Sequence, residues 1–377
     1  MERKLGIGVI GCGNISAAYM RLAPLFRGIE MRACADIDMA AAEARAAEFG
    51  LRALTVDALL AAEDIDIVVN LTVPMAHYEI SRRILQAGKH SYSEKPFVMT
   101  LDEARSLRAI ADAAGLRIGS APDTFLGGAH QLARAAIDAG RVGPITGGTC
   151  HVMSAGMEDW HPNPDFFFQP GGGPVLDLGP YYITNLVQLL GPVTSVAAMT
   201  GMGRPTRTIG SGPRSGEEIP VATPTNIHAL LEFASGAIVT LGASWDVKAH
   251  GHANMELYGQ DGTVFVPDPN FFGGDLRIVT DAGETRPDTG THPFARLNMT
   301  DNRGIERANY RCAGLADMAM AILENRPHRC SDDLATHVVD VMAAILQAGQ
   351  ERRVIAPSTT CARPEALDAR AAQALLA

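Results

Sequence analysis

The first 121 residues alternate short β-branched apolar runs with longer alanine-rich stretches whose apolar positions recur at spacings of three and four. That is the pattern of a parallel sheet covered by helices. Strands are predicted at 5–10 (LGIGVI), 30–36 (EMRACAD), 65–72 (IDIVVNLT), 90–95 (HSYSEK) and 116–120 (LRIGS). Helices are predicted over 39–50, 75–89 and 100–115, each ending at or near a glycine, the residue that closes a helix in the left-handed region at no steric cost. The expected first domain, 1–121, is doubly wound α/β.

From about residue 122 the pattern changes. One helix, 128–140, precedes longer alternating runs, such as TNIHALLEFASGAIVTLGASWDV at 225–247 with its own turn at ASG. Further strands are predicted at 144–153, 194–200, 252–259 and 275–280. Many strands with few crossover helices point to an α+β domain, 122–356, built on a large, mostly antiparallel sheet. Two late helices, 308–324 and 333–348, are expected to pack on that sheet or return to the first domain. The Gly-, Pro-, Arg- and Ser-rich stretch 203–222 reads as a long surface arm, and 357–377 as a loosely attached tail.

Composition narrows the function classes. A length of 377 residues exceeds what one core usually fills, and 47% hydrophobic with 20% charged residues is ordinary for a globular protein. A net charge of -10, without a block of lysine or arginine, gives no footprint for nucleic acid or an anionic membrane surface. The N-terminus, MERKLGIGVIG, meets a glycine-rich segment before any apolar stretch of signal length, and no run of about 18 apolar residues follows. A cytoplasmic protein is expected. Six cysteines are scattered singly, with no C-x-x-C pair and no histidine cluster at zinc spacing, so reduced thiols and no metal site are expected.

The glycine run has a chemical reading. GVIGCGNIS places Gly11 and Gly13 at the end of the first strand, Asn14 and Ile15 at the start of a helix, and Ser16 where the third glycine of G-x-G-x-x-G falls. Such a turn lets a pyrophosphate approach the first amides of the helix, and Ser16 is small enough for close helix–strand packing. The second predicted strand ends in ACAD and delivers Asp36 close to the spacing of about 20 positions expected of a ribose-binding acid. A carboxylate there accepts hydrogen bonds from the ribose hydroxyls of NAD and repels the 2′-phosphate of NADP, so NAD is the expected cofactor. A solvated loop acid, or the cap of the next helix, is the plainer reading of Asp36.

SEKPF, residues 93–97, follows another strand of the same domain, where ligands of parallel sheets bind. With GVIGCGNIS, ACADID, VVNLTVPMAHYEI, AGKHSYSEKP, GGGPVLDLG and LLGPV, the chain resembles the glucose-fructose oxidoreductase, inositol dehydrogenase and rhizopine catabolism family, Gfo/Idh/MocA, over roughly residues 5–350. The resemblance implies a Rossmann domain joined to a mostly antiparallel α/β domain, and oxidation or reduction of a hydroxyl of a sugar, polyol or related cyclic compound with NAD(P). It implies that Lys95 reaches the reacting oxygen while Glu94 and Pro96 hold the backbone against the nicotinamide. It also implies that Thr72, Pro74 and His77 line the cofactor, that Asp177 is the second-domain acid, and that the protein is a homodimer or homotetramer. A cation beside a reacting hydroxyl stabilises developing alkoxide, and a neighbouring carboxylate keeps that cation charged.

The sequence departs from the family where a histidine is usual four residues after the acid, for position 181 is Tyr. A phenol with an ordinary pKa near 10 is a poor base at pH 7 unless a nearby cation such as Lys95 lowers it. His161, in EDWHPNPDFF beside Trp160 and Phe166 to Phe168, is a second candidate for the proton, and Lys95 with water a third. The aromatic residues there suit the apolar face of a sugar ring. APDTFLGGAHQ, 121–131, offers Asp123, Thr124, His130 and Gln131 as polar groups for a polyhydroxylated ligand, with helix capping as their plainer role. The activity is left open between a dehydrogenase of sugars, inositols or glycosides, a glycosidase that uses tightly bound NAD for transient oxidation, and a non-catalytic cofactor sensor.

Overall fold

The computed structural model describes residues 3–161, 163–301 and 304–377. The chain divides into two units, Met1–Gly128 with Gly290–Val339 and Pro364–Ala377, and Ala129–Thr289 with Asp340–Arg363.

In the first unit, strands β1 (Leu5–Ile10), β2 (Ile29–Ala35), β3 (Arg52–Leu54), β4 (Ile67–Asn70), β5 (His90–Ser93) and β6 (Ile118–Ser120) form one parallel sheet in the order β3-β2-β1-β4-β5-β6. Every residue of β1 and β4 is buried, as a sheet with helices on both faces requires. The helices are α1 (Asn14–Leu22), α2 (Met39–Phe49), α3 (Val56–Ala61), α4 (His77–Gln86) and α5 (Leu101–Ala114). Local chemistry sets their ends. Asp38 caps α2, Thr100 and Glu103 form a reciprocal capping box on α5, and Gly50 and Gly115 close those two helices in the left-handed region. The five expected strands are all present. Strand β3, a three-residue edge strand with no fully buried position, and the six-residue helix α3 are additional elements that carry no apolar run or period of their own.

The second unit holds α6 (Gly128–Asp138), β7 (Ile145–Met153), α7 (Pro174–Leu190), β8 (Val193–Gly201), the hairpin β9 (Thr206–Thr208) and β10 (Glu218–Pro220), then β11 (Asn226–Phe233), β12 (Ile238–Ser244), β13 (Met255–Gly259), β14 (Gly262–Val266), β15 (Arg277–Thr280) and β16 (Gly283–Thr285). Eight strands form a sheet in the order β16-β15-β14-β13-β7-β12-β11-β8, antiparallel except for the parallel pair β7–β12. Along β11, buried Ile227, Ala229, Leu231 and Phe233 alternate with exposed His228, Leu230 and Glu232, so one face packs inward and the other is open.

Two expectations are corrected. The stretch 203–222 is not simply a surface arm. Its β9–β10 hairpin turns Arg207 and Ile219 to the same inner side, and Arg207, Ile209, Ile219 and Val221 are all buried, the last three against Phe168 and Trp245. The Arg207 guanidinium pairs with Glu158 at 2.8 Å and with Asp246, so its charge is compensated inside.

The segment 357–377 is not a loose tail. After β17 (Met299–Thr300), β18 (Glu306–Arg307), α8 (Ala313–Glu324) and α9 (Asp332–Glu351), the chain ends in α10 (Ala369–Leu375), capped by Asp368. Ala377 donates to the Leu25 carbonyl, Arg27 to that of Leu375, and Leu367 and Ala372 are wholly buried. Alanine-rich and short, the helix looked weak in isolation, and its stability comes from packing. Truncating Leu367→Ala should therefore cost about 2–5 kcal/mol, read as a lower urea midpoint. A change of less than ~0.5 kcal/mol would mean that the segment is detached.

Candidate functional site

Sheet register gathers the first half of the site. Ala35, Ile10, Asn70, Ser93 and Ser120 are successive partners across β2, β1, β4, β5 and β6. The residues that follow them, Asp36, Gly11, the Leu71–Thr72 pair, Glu94 with Lys95, and Ala121, therefore leave the sheet along one edge. Between β1 and β4 the strand order reverses, which is where open α/β sheets bind ligands.

A cleft of about 440 Å³ opens there, lined by Gly11, Gly13, Asp36, Ile37, Thr72 and Val73 among others. Gly11 has φ +102°, and a Cβ on it would lie 2.6 Å from the Leu71 carbonyl, so only glycine fits. Around Gly13 the reason differs, since nothing lies within 4 Å of where a Cβ would stand. Gly13 caps α1 with no side-chain hydrogen bond to the first turn, and that turn contains no acid. The Ser16 amide donates to the Gly13 carbonyl at 3.2 Å, and a helix start without a side-chain cap or an acid suits an anion. Ser16 is buried and its hydroxyl donates to the Gly13 carbonyl at 2.6 Å, holding the turn closed.

Asp36 is not the cap of α2, a role taken by Asp38. Its carboxylate accepts from the Cys12 amide at 2.7 Å and the Asp38 amide at 2.9 Å, which fixes it at the rim of the cleft. Ile37 is 101% exposed and Val73 66%, two apolar side chains in water beside that acid. A cleft with an uncapped helix start, a fixed carboxylate and exposed apolar walls fits a dinucleotide, with pyrophosphate, ribose and adenine matched in turn.

The loops after β4 and β5 are wired to each other. Asn70 accepts from the Thr72 hydroxyl at 2.7 Å and donates to the His77 carbonyl and the Ser81 hydroxyl. Pro74 opens the short turn before α4. His77 is buried rather than turned to a ligand, with Nδ1 2.7 Å from the Pro96 carbonyl and Nε2 3.0 Å from that of Thr72. Burial holds its pKa below the ordinary value. Glu94 is also buried, with its carboxylate accepting from the Lys95 amide at 2.9 Å, and Lys95 joins Pro96 through a cis peptide bond.

The second unit carries the other candidates. GGGPVLDLGPYY runs into the 17-residue helix α7. Pro180 lies inside that helix, where it withholds the amide that would bond the Leu176 carbonyl and crowds that carbonyl. Gly173, with φ +97°, is its N-cap, and a Cβ on Gly172 would meet the Phe166 carbonyl at 2.5 Å. Asp177 and Tyr181 share one face of this helix. The next tyrosine, Tyr182, is structural: its hydroxyl donates to Asp268 at 3.1 Å and accepts from Asn254.

Ahead of the helix, Trp160 (62% exposed) and Phe166 (56%) stand out, whereas Phe167 and Phe168 are buried. His161 packs edge-on against Trp160, Phe166 and Phe167. Its Nδ1 accepts from the Asn163 amide at 3.2 Å, so in the neutral ring Nε2 carries the proton and is a donor. The Arg207–Glu158 ion pair anchors this aromatic loop from the arm.

Other expected ligand residues are placed elsewhere. Asp123 is buried in the first unit and accepts from the Cys312 and Gly314 amides, which caps α8. Desolvation raises its pKa to about 6. Thr124 lies buried in a short turn, and its hydroxyl has no partner among the described residues. His130 belongs to the second unit's core, with Nε2 2.8 Å from the Phe271 carbonyl and Nδ1 facing the Asn185 amide group, and desolvation lowers its pKa to about 4. Gln131 is buried too. All six cysteines are buried, and none of them forms a disulfide among the described residues.

Residues 5–121 match the model of an oxidoreductase family with an NAD-binding Rossmann fold, and residues 130–265 that of the GFO/IDH/MocA C-terminal domain. An uncharacterized oxidoreductase of Schizosaccharomyces pombe is 33% identical over 41% of this chain, a match spanning only 42% of that relative. Inositol 2-dehydrogenase of Rhizobium meliloti is 26% identical over 83% of this chain and 94% of its own length. Among solved structures, a levoglucosan dehydrogenase in complex with NADH superposes with a TM-score of 0.79 at 21% identity, covering 95% of this chain and 100% of that one, a likeness of fold.

The two glycines separate folding from binding. Gly13→Ala should leave the melting temperature nearly unchanged but weaken NADH at least tenfold in a fluorescence titration, whereas Gly11→Ala should lower the melting temperature itself. Equal NADH affinity in Gly13→Ala and the parent would remove the pyrophosphate from that turn. His130 sets an acid limit. Its folded pKa, about 4, lies below the ordinary 6.5, so the stability it contributes is present above 6.5 and is lost as pH falls through 4. The loss approaches ~3 kcal/mol. Urea unfolding at pH 7 and 4.5 should show a smaller acid loss in His130→Gln than in the parent, and equal slopes would exclude this histidine as the cause.

Proposed function

As this chain belongs to the Gfo/Idh/MocA oxidoreductase family, we propose that it oxidises a secondary hydroxyl or hemiacetal of a sugar, inositol or glycoside with NAD. The observation that carries the reading is the single sheet edge at which the glycine turn, Asp36 and Lys95 emerge together. Relatives that include an inositol 2-dehydrogenase, a levoglucosan dehydrogenase and a D-apiose dehydrogenase support the substrate class.

The first-turn amides of α1 hold the pyrophosphate, and Asp36 takes the ribose hydroxyls, favouring NAD over NADP by repelling a 2′-phosphate. Bound NAD supplies the hydride acceptor. Lys95, Asp177 and Tyr181 are the catalytic side chains. The Lys95 ammonium stabilises the oxygen as negative charge develops, and Tyr181, in its phenolate form, receives the proton and becomes a neutral phenol, with Asp177 one turn before it on the same helix face. His161 is the weaker candidate for that proton because its Nδ1 lone pair is already engaged and its Nε2 is a donor. It binds a substrate oxygen, with Trp160 and Phe166 against the apolar face of the ring.

The open face of the eight-stranded sheet exposes Met199, Leu230 and Ile238, which supports assembly with further copies of the chain. Cysteines held outside disulfides fit a reducing compartment such as the cytoplasm.

Absorbance of NADH, followed with NAD and a panel of aldoses, inositols and glycosides, tests the activity. Lys95→Ala should lower turnover about 100-fold or more, and Tyr181→Phe by a similar factor. Near-parental turnover in Tyr181→Phe would acquit the phenol. No NADH from any member of the panel would count against the dehydrogenase reading.

A further inference from the structure

Tyr19 lies on α1, the helix whose first turn faces the dinucleotide cleft, yet its side chain is wholly buried on the opposite side of that function. Its hydroxyl donates to Glu94 Oε1 at 3.1 Å. The other oxygen of the same carboxylate accepts from the Lys95 amide at 2.9 Å, and the Glu94 amide donates to the Asn70 carbonyl at 2.9 Å. Tyr19 is itself held in place, since its carbonyl accepts from the Cys312 thiol at 3.4 Å beside the start of α8. Burial, with Glu94 and Asp123 nearby, pushes the phenol's pKa far above the usual value, so it remains a donor at every working pH.

We propose that Tyr19 is a positioning residue for the reaction: through the Glu94 carboxylate it fixes the backbone of Lys95 relative to the helix that binds the cofactor. A carboxylate with a single partner can rotate about its χ angles, and the amide that it holds then moves with it. A second, buried donor on the other oxygen removes that freedom, and charge-assisted bonds in a low-dielectric interior are the strong ones. Lys95 is the group read above as meeting the reacting oxygen, and an error of about 1 Å at such a group costs on the order of 100-fold in rate. The inference rests on that reading for its kinetic consequence, but not for its structural one.

The structural consequence is measured without turnover. Hydrogen exchange of the cofactor-free full chain should be about tenfold faster at the peptide covering residues 91–99 in Tyr19→Phe than in the parent, the loss of one net hydrogen bond. Phe keeps the ring's volume. If exchange in 91–99 is unchanged while that of 311–324 rises, Tyr19 is only a core residue and the proposal fails.

Glu94→Ala gives a second route if Tyr19→Phe folds poorly. It should loosen the same peptide, and adding Tyr19→Phe to it should loosen that peptide no further, whereas additive effects would overturn the linkage. On the best substrate of the panel, Tyr19→Phe should lower kcat about tenfold with the NADH Kd changed less than about twofold. A change confined to Kd or KM would place the tyrosine in binding instead. Absence of turnover in the parent would sink the dehydrogenase reading while the exchange result still decides the role of Tyr19.

Discussion

The site depends on how closely the chain leaving β1 passes the chain leaving β4. At Gly11 the two backbones touch, with the Leu71 carbonyl where a side chain would begin. Each loop at this edge then carries the sheet's hydrogen bonding one residue further. Gly11 donates to the Ala35 carbonyl, Leu71 to that of Ile10, Glu94 to that of Asn70 and Ala121 to that of Ser93. The loops are therefore extensions of a rigid ladder, and the groups they carry inherit its spacing. Asp36 and Lys95 are far apart in sequence but are fixed within the same lattice of backbone bonds.

A second layer of order comes from polar side chains inside the protein. Asn70, His77, Glu94 and Asp123 are all buried, and each ties loop backbone to a neighbouring element. Their cost of burial is offset only because nearly every lone pair and proton has a partner. This is why polarity beside glycines misled the reading of residues 121–131. Asp123 and His130 have the chemistry of ligand-binding residues, but the partners that absorb them, the start of α8 and the Phe271 loop, lie far along the chain. No local pattern announces such contacts.

What the chain displayed openly was whatever depends on short-range periodicity. The five expected parallel strands follow from apolar runs, and the glycine turn, Asp36 and the Lys95 loop stand at the ends of three of them. Helix α7 was half legible, because its Asp177–Tyr181 spacing is helical while Gly179 and Pro180 argue against a helix of that length. The arm and the C-terminal helix were misread for one common reason. Their order comes from burying a few apolar residues and one arginine against distant parts of their own unit, which composition cannot reveal. His77 shows the finer limit: the family resemblance implies that it lines the cofactor, whereas its buried ring lies between the Pro96 and Thr72 carbonyls.

Strand β7 has a consequence for how the second unit is built. It lies in the middle of the eight-stranded sheet, yet its two neighbours, β12 and β13, come only after α7, β8 and β11 have been made, and Gly147 waits for Ile238 as Cys150 waits for Met255. Pairing so distant is slow, and an unpaired central strand is exposed to other chains in the meantime. The strand ITGGTCHVM carries paired glycines at 147 and 148. Gly148 is needed in the finished sheet, where a Cβ would meet the Glu256 carbonyl at 2.4 Å. The same two residues keep β-propensity low in a central strand whose partners both lie far along the chain. The helix bearing Asp177 and Tyr181 thus stands in the chain between that strand and both of its partners, so the sheet that supports the helix is completed by residues that follow it.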